Sequence, residues 1–108
     1  MKVLIIGNDN LIQNQLKEIL VKDQESIFIK QAYSYEDARK VFSTFLPDKV
    51  FLDLTLYEEG ILRLLKMFKK LNPSVKVTFM VSSPADPFIK TCLKIGADDF
   101  LDKSNIKV

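Results

Sequence analysis

The chain has 108 residues, the usual size of one domain with one hydrophobic core. Hydrophobic residues make up 47% of it and charged residues 28%, which excludes disorder as the default state. The 16 Lys and Arg exceed the 14 Asp and Glu by two, and this excess is too small and too mixed to indicate a nucleic-acid-binding protein.

The first elements along the chain are a strand, a helix and a second strand. The apolar run Val3–Ile6 predicts a strand covered on both faces. Apolar residues at steps of three and four predict a helix near residues 10–22, and any of residues 8–10 can cap its first turn. Residues Ser26–Ala32 predict a second strand, and its less regular alternation favours a position at the sheet edge.

The middle of the chain predicts a second helix, a third strand and a third helix. Ser34 begins a segment that resembles a capping box, and Pro47 ends the helix that follows. The apolar residues of Val50–Leu54 predict a strand. Residues 58–71 place many apolar side chains between basic ones and predict a helix that Asn72-Pro73 ends.

The last third of the chain predicts a fourth strand, a fourth helix and a weak fifth strand. Residues Val77–Val81 are almost continuously apolar, as expected of a central strand. Asp86-Pro87 supplies an N-cap and a proline for the first turn of a helix near residues 87–95, and Gly96 stands where a left-handed C-cap belongs. The fifth strand covers Asp99–Leu101.

Strands that alternate with helices through short connections predict an open parallel sheet with helices on both faces. A closing C-terminal helix is missing, because residues 104–108 are too few to form one. We therefore expect a sheet face lined by Val3, Ile5 or Val77 to stay partly uncovered, which favours a homodimer or a longer parent chain. Alternatively, the first helix and the tail cover this face.

In open parallel sheets the functional groups gather at the carboxyl ends of the strands. The segments at those ends are Gly7-Asn8-Asp9, Asp53, Ser82-Ser83 and Asp102-Lys103. A carboxylate among the apolar neighbours of Asp53 needs a partner, and Lys103 is the natural one. By spacing alone, a purely structural ion pair explains these residues as well as a functional site does.

Histidine is absent, and Cys92 is the single cysteine. Histidine general bases, histidine metal ligands and Ser-His-Asp or Cys-His nucleophile pairs are therefore excluded. An internal disulfide is excluded as well, and the apolar runs are far too short for a membrane span or signal sequence. These features predict a cytoplasmic protein that does not contact a membrane.

Three segments in order resemble the response-regulator receiver domain of two-component signalling. Residues 47–54 resemble the segment that carries the phosphoacceptor aspartate, 81–83 the fourth-strand hydroxyl segment, and 96–103 the Gly-Ala-Asp-Asp-Tyr…Lys segment. The resemblance extends from Met1 through Lys103. It implies a flavodoxin-like α/β fold with strand order 2-1-3-4-5, and we expect residues 1–108 to be a receiver-like domain of a longer chain.

The resemblance also implies roles for individual residues. Asp53 would take a phosphoryl group from a histidine kinase or phosphotransferase, while Ser82 and Lys103 would each contact one phosphoryl oxygen. Phe100 stands at the aromatic switch position, where the family often has tyrosine; an ordinary core aromatic is an equally good interpretation. The implied output is a downstream domain or protein whose interactions change with phosphorylation, so we expect a signalling module and not an enzyme.

At the metal position this sequence departs from the family. Receivers usually carry an acidic pair directly after the first strand, and here Gly7 and Asn8 stand in its place. The remaining candidate Mg²⁺ ligands are Asp53, Asp9 and Asn8, so we expect Mg²⁺ binding to be weak or absent. Aspartates at positions 7 and 8 are expected to strengthen it if the backbone there matches that of the family. Ser104 also replaces the family's proline after the lysine.

Three functions follow as hypotheses. The first is a working receiver phosphorylated on Asp53, and the second is a degenerate receiver that binds a partner or itself without phosphorylation. The third is a DNA- or nucleotide-binding domain that uses the basic face of the third helix, formed by Arg63, Lys66 and Lys70. Such charge runs are usually solvated faces, so nucleic-acid contact through this domain is not expected.

Overall fold

The computed structural model describes residues 1–23, 26–54 and 58–106. Its five parallel strands form one sheet in the order β2-β1-β3-β4-β5, as predicted. The strands are β1 Lys2–Ile6, β2 Phe28–Ala32, β3 Lys49–Asp53, β4 Lys76–Val81 and β5 Asp99–Asp102. The flavodoxin-like fold is therefore confirmed, and β2 lies at an edge as its irregular alternation indicated.

The helices also follow the predicted bounds, and they are α1 Asn10–Asp23, α2 Tyr35–Phe45, α3 Glu58–Leu71, α4 Phe88–Ile95 and a short 3-10 turn at Lys103–Asn105. The Ser34 hydroxyl accepts a hydrogen bond from the backbone N–H of Asp37 at 3.1 Å and caps α2. Asp86 lies one residue before the N-cap Pro87 and not at the predicted N-cap itself, and its carboxylate accepts a hydrogen bond from the backbone N–H of Phe88 at 2.9 Å. Gly96 ends α4 with a φ of 138°, a backbone angle that side chains disfavour.

One face of the sheet packs against α2, α3 and α4. Every second residue of each strand points toward this face. The three helices cover it with the apolar stripes that their spacing predicted. Phe42 of α2 and Phe68 of α3 stack at the centre, with ring centroids 4.1 Å apart. Cys92 is buried on this face.

The opposite face is covered more fully than predicted. Val3, Ile5 and Val77 are at most 1% exposed, so the expectation that they line an open face is wrong. Val3 and Ile5 pack against Leu16 of α1 and against Ile106, which the 3-10 turn brings back onto the sheet. Val77 belongs to the other face. Within the described residues, α1 and the C-terminal segment around Ile106 therefore cover the sheet face that a closing helix was expected to cover.

Lys49 supplies further cover on the same face. Its ammonium donates a hydrogen bond to the Thr78 hydroxyl at 2.7 Å and lies 5.1 Å from the centre of the Phe51 ring. Partial burial lowers the pKa of Lys49, although the charges of Asp99 and Asp98 oppose this change. The lysine stem therefore shields apolar sheet residues while its charged end finds polar contacts.

No helix within the described residues is long and apolar enough to cross a membrane.

Candidate functional site

The register of the sheet brings the predicted polar residues together at its carboxyl edge. Ile6 pairs with Leu52, so Gly7 follows directly opposite Asp53. On the other side of β3, Asp53 pairs with Met80, and Ser82 lies two residues after Met80. Because Val81 pairs with Asp102 across β4 and β5, Lys103 leaves the sheet at the same level. The edge therefore gathers the segments that the sequence singled out.

Asp53 and Lys103 form the predicted ion pair at the centre of this edge. The Lys103 Nζ lies 2.7 Å from Asp53 Oδ1, and the two side chains are 14% and 1% exposed. A carboxylate that is so well removed from water requires a charged or hydrogen-bonding partner, and this short contact supplies one. Because the pair is compact and buried, it fixes where the Asp53 carboxylate lies.

The turn after β5 places Lys103 for this contact. The Asp102 carboxylate accepts a hydrogen bond from the backbone N–H of Ser104 at 2.9 Å and so caps the 3-10 turn. This hydrogen bond lowers the pKa of Asp102. A proline at position 104 would have no N–H to donate. Ser104, which replaces the family's proline, therefore allows this capping hydrogen bond.

Gly7 is required by the close approach of β1 to Asp53. A Cβ atom added at Gly7 would lie 2.9 Å from Asp53 Cβ and 3.3 Å from Asp53 Oδ2, closer than packed side chains tolerate. Gly7→Asp would therefore displace the Asp53 side chain. This gives a steric reason against the expectation that an aspartate at position 7 strengthens metal binding, since it would disturb the central carboxylate.

The other candidate metal ligands are arranged differently from an acidic cluster. Asp9 caps α1, because its carboxylate accepts a hydrogen bond from the backbone N–H of Ile12 at 3.1 Å. Asn8 is exposed, and Asp53 Oδ1 is already in contact with Lys103. Among the described residues, no group of three or more His, Cys, Asp or Glu side chains could hold a metal ion. The residues present therefore do not fit a conventional Mg²⁺ site, which needs several oxygen ligands with negative charge.

Gln13 supports the site and was missed by the sequence analysis. Its amide is 1% exposed and donates to the carbonyls of Gly7 at 2.7 Å and Ala32 at 2.8 Å. Its oxygen accepts a hydrogen bond from Gln31 at 3.1 Å. The amide thereby ties the end of β1 to the end of β2. The sequence contained one indication of this role: Gln13 is a polar residue on the apolar stripe of α1, one turn before Leu16.

Ser82, directly after β4, and Phe100, within β5, are both exposed. Phe100 is 38% exposed, so it is not the core aromatic of the alternative interpretation. Its ring lines a groove of about 430 Å³ beside α4 that Ile89 and Leu93 also line. The predicted switch aromatic therefore lies between the carboxyl edge and an open surface.

Asp98 lies at the amino end of β5, away from the carboxyl edge. Lys69 Nζ contacts its carboxylate at 2.8 Å, and the same Asp98 oxygen accepts the Val77 N–H at 2.8 Å. Partial burial opposes its ionisation, but these hydrogen bonds and nearby lysine charges outweigh burial and lower the pKa of Asp98. Asp98, which belongs to the Gly-Ala-Asp-Asp run, therefore links the amino end of β5 to β4 and to α3.

Comparison with known proteins gives consistent relatives over nearly the whole chain. Residues 3–107 match the response regulator receiver domain. The chain is 29% identical over 103 residues to the chemotaxis protein CheY of Listeria monocytogenes, covering 95% of this chain and 86% of that protein. It is 26% identical over 103 residues to the sensory transduction protein LytT of Bacillus cereus, covering 95% of this chain but 41% of that protein. The chain thus spans about two fifths of the length of LytT.

Solved structures agree with this comparison. A two-component response regulator from Clostridium difficile superposes with a TM-score of 0.83 at 28% identity, over 95% of this chain and 83% of that one. The signal receiver domain of a DNA-binding response regulator from Colwellia psychrerythraea has the same fold, with a TM-score of 0.85 at 24% identity over 96% of this chain and 86% of that one.

Proposed function

The chain belongs to the response regulator receiver domain family, and from this membership we propose that Asp53 accepts a phosphoryl group from a histidine kinase or phosphotransferase. Phosphorylation-dependent switching of interactions is the function of this family. The observation that carries the proposal for this chain is the ion pair of Asp53 with Lys103 at the carboxyl edge of the sheet. It supplies a nucleophilic carboxylate next to a fixed positive charge.

The transfer would form a bond between an Asp53 carboxylate oxygen and phosphorus while the bond from phosphorus to the donor's imidazole nitrogen breaks. The electron pair of that broken bond stays on the imidazole. Lys103 Nζ contacts Oδ1 at 2.7 Å, so a positive charge lies directly beside the attacking carboxylate. Charge on the transferred oxygens grows near Lys103, whose ammonium can follow it, and the Ser82 hydroxyl can donate to a second oxygen.

The same contacts suggest how phosphorylation would reach the surface. A phosphoryl group on Asp53 would draw Lys103 and Ser82 toward its oxygens, moving the ends of β5 and β4. Phe100 lies on β5 and lines the groove beside α4, so a shift of this strand alters the groove. We propose this groove as the surface that reports phosphorylation to a downstream output domain or protein.

Receiver domains typically bind Mg²⁺ at an acidic pocket. For this chain we propose that Mg²⁺ binding is weak, since Gly7 replaces one acidic ligand, Asn8 offers a neutral oxygen and Asp9 caps α1. The Lys103 ammonium, which contacts Asp53, already compensates part of the negative charge of that carboxylate.

A second candidate is a degenerate receiver that binds its partner without phosphorylation. It is favoured by the 1% exposure of Asp53, because a phosphoryl donor reaches this carboxylate only after the side chain or its surroundings move. In this case the Asp53–Lys103 pair would hold the carboxyl edge in one permanent conformation. A homodimer belongs to this candidate, and light scattering over a concentration series would detect it.

For either candidate we propose a signalling module in the cytoplasm, not an enzyme acting on a small molecule. Support for this comes from the family membership and from the CheY and LytT relatives. We also propose that residues 1–108 act as one domain of a regulator.

The two candidates are separated by exposing the protein to phosphoramidate or acetyl phosphate, with and without Mg²⁺, and measuring the intact mass. Asp53→Asn serves as the test variant, and Asp48→Asn as the control, because Asp48 is an exposed carboxylate at the amino end of β3, the end opposite Asp53. A working receiver gains the mass of one phosphoryl group in the wild type and the control but not in Asp53→Asn. An unchanged mass in all three proteins, with both donors, would support the degenerate receiver.

A further inference from the structure

A second surface lies between α2 and α3, apart from the carboxyl edge. It is a groove of about 370 Å³, and its lining residues are Arg39, Lys40, Ser43, Thr44 and Met67. Its volume is sufficient for one or two side chains of a bound segment. None of these residues belongs to the proposed phosphorylation site.

The floor of this groove is apolar. Met67 is partly buried and packs against the core beneath α2 and α3. The polar groups beside it are already used, since the Ser43 hydroxyl donates to the Arg39 carbonyl at 2.9 Å and the Thr44 hydroxyl to the Lys40 carbonyl at 3.3 Å. The charged ends of the two basic residues are therefore the principal groups that can recognise a polar ligand here.

Positive charge surrounds the floor on both helices. Arg63 and Lys70 lie one turn before and one turn after Met67 on α3, on its side of the helix, and both are exposed. The Glu36 carboxylate approaches Arg39 at 3.8 Å, but both side chains are more than half exposed, so this pair is weak. The groove consequently keeps most of its positive charge available.

We propose that this groove binds an acidic amphipathic helical segment of a partner protein. An apolar side chain of the segment would lie on Met67, which adapts to different shapes, while flanking carboxylates pair with the cations of α2 and α3. Its chemistry suits a peptide better than a nucleic acid. The lining residues include no aromatic ring on which a base could stack, and the net charge of the chain is only +2.

The probe is a synthetic amphipathic peptide with leucines on one face and glutamates beside them, titrated into the ¹⁵N-labelled protein. We expect saturable shifts of amide signals in α2 and around Met67. The double variant Arg39→Glu/Lys40→Glu should weaken binding by about tenfold or more, because it replaces attraction with repulsion. Lys17→Glu/Lys22→Glu on α1 makes the same change of net charge at exposed positions and should change affinity by less than about twofold.

Met67→Ala separates groove binding from general electrostatic attraction, since it leaves the charge unchanged. A loss of several-fold in affinity is expected, while a peptide of the same pattern with lysines in place of glutamates should not bind. The proposal is overturned if the α1 control loses as much affinity as the α2 variant, if Met67→Ala binds like the wild type, or if the peptide causes no saturable shifts. Tighter binding of a DNA duplex to the same amides would likewise overturn it.

Discussion

Replacing Lys103 by methionine tests the Asp53–Lys103 pair directly. Methionine keeps a similar length and an apolar stem, so the change removes the positive charge with little loss of volume. The Asp53 carboxylate, which is 1% exposed, then loses the ammonium that lies 2.7 Å away in the wild type. The variant therefore measures how much this one contact contributes to the free energy of unfolding.

The expected cost follows from the geometry. Two unit charges 2.7 Å apart attract by roughly 6 kcal/mol at an effective dielectric constant of 20. Removing each ion from water costs several kcal/mol, so the intact pair contributes little net stability. Removing one partner is different, because it leaves the desolvation cost of the other, and we expect Lys103→Met to lower the free energy of unfolding by about 3 kcal/mol.

The measurement is urea unfolding followed by far-ultraviolet circular dichroism, in a cycle with Asp53→Asn and the double variant. Once residue 53 is neutral, Lys103→Met should cost at least about 2 kcal/mol less than in the wild type. Lys90→Met on the exposed part of α4 is the control, with an expected change within about 0.5 kcal/mol. Additive effects of the two substitutions, or a cost of Lys103→Met no larger than that of the control, would refute the pair.

Three further substitutions test other parts of the structure by urea unfolding. Gly7→Ala should lower the free energy of unfolding by about 1 to 3 kcal/mol, because its Cβ would crowd Asp53, and a neutral result would contradict the close approach. Leu46→Gly should raise it by about 0.5 to 1 kcal/mol, since Leu46 ends α2 at a φ of 49°; a loss would contradict this. Lys69→Met should cost about 1 to 2 kcal/mol at neutral pH. Because the folded-state pKa of Asp98 is lowered, that cost should shrink as the pH falls below the usual aspartate range of about 4, and a cost independent of pH would contradict the contact.

Local patterns predicted most of the fold. The almost continuously apolar segments became the central strands, Ser34 caps α2 as expected, and α4 begins within one residue of the predicted position. These signals depend on neighbouring residues in the sequence, so they could be recognised without coordinates. The Asp53–Lys103 contact was also predictable, because parallel strands end at the same edge.

Other features depend on distances between segments far apart in the chain. The close approach that makes Gly7 necessary is set by the pairing of β1 with β3 at their last residues. The return of Ile106 onto the sheet depends on the direction of one short turn, which the count of remaining residues could not reveal. Asp9 could equally have pointed into the site or capped α1, and the observed hydrogen bond to Ile12 decided between them.

The most direct test of the phosphorylation switch compares amide NMR spectra of the wild type and Asp53→Asn before and after addition of phosphoramidate. We expect new signals in the wild type for Ser82, Lys103 and Phe100, the residues that link Asp53 to the groove beside α4. Asp53→Asn should show no such change. Equal spectra of the wild type with and without the donor, or the same changes in Asp53→Asn, would contradict a phosphorylation switch centred on Asp53.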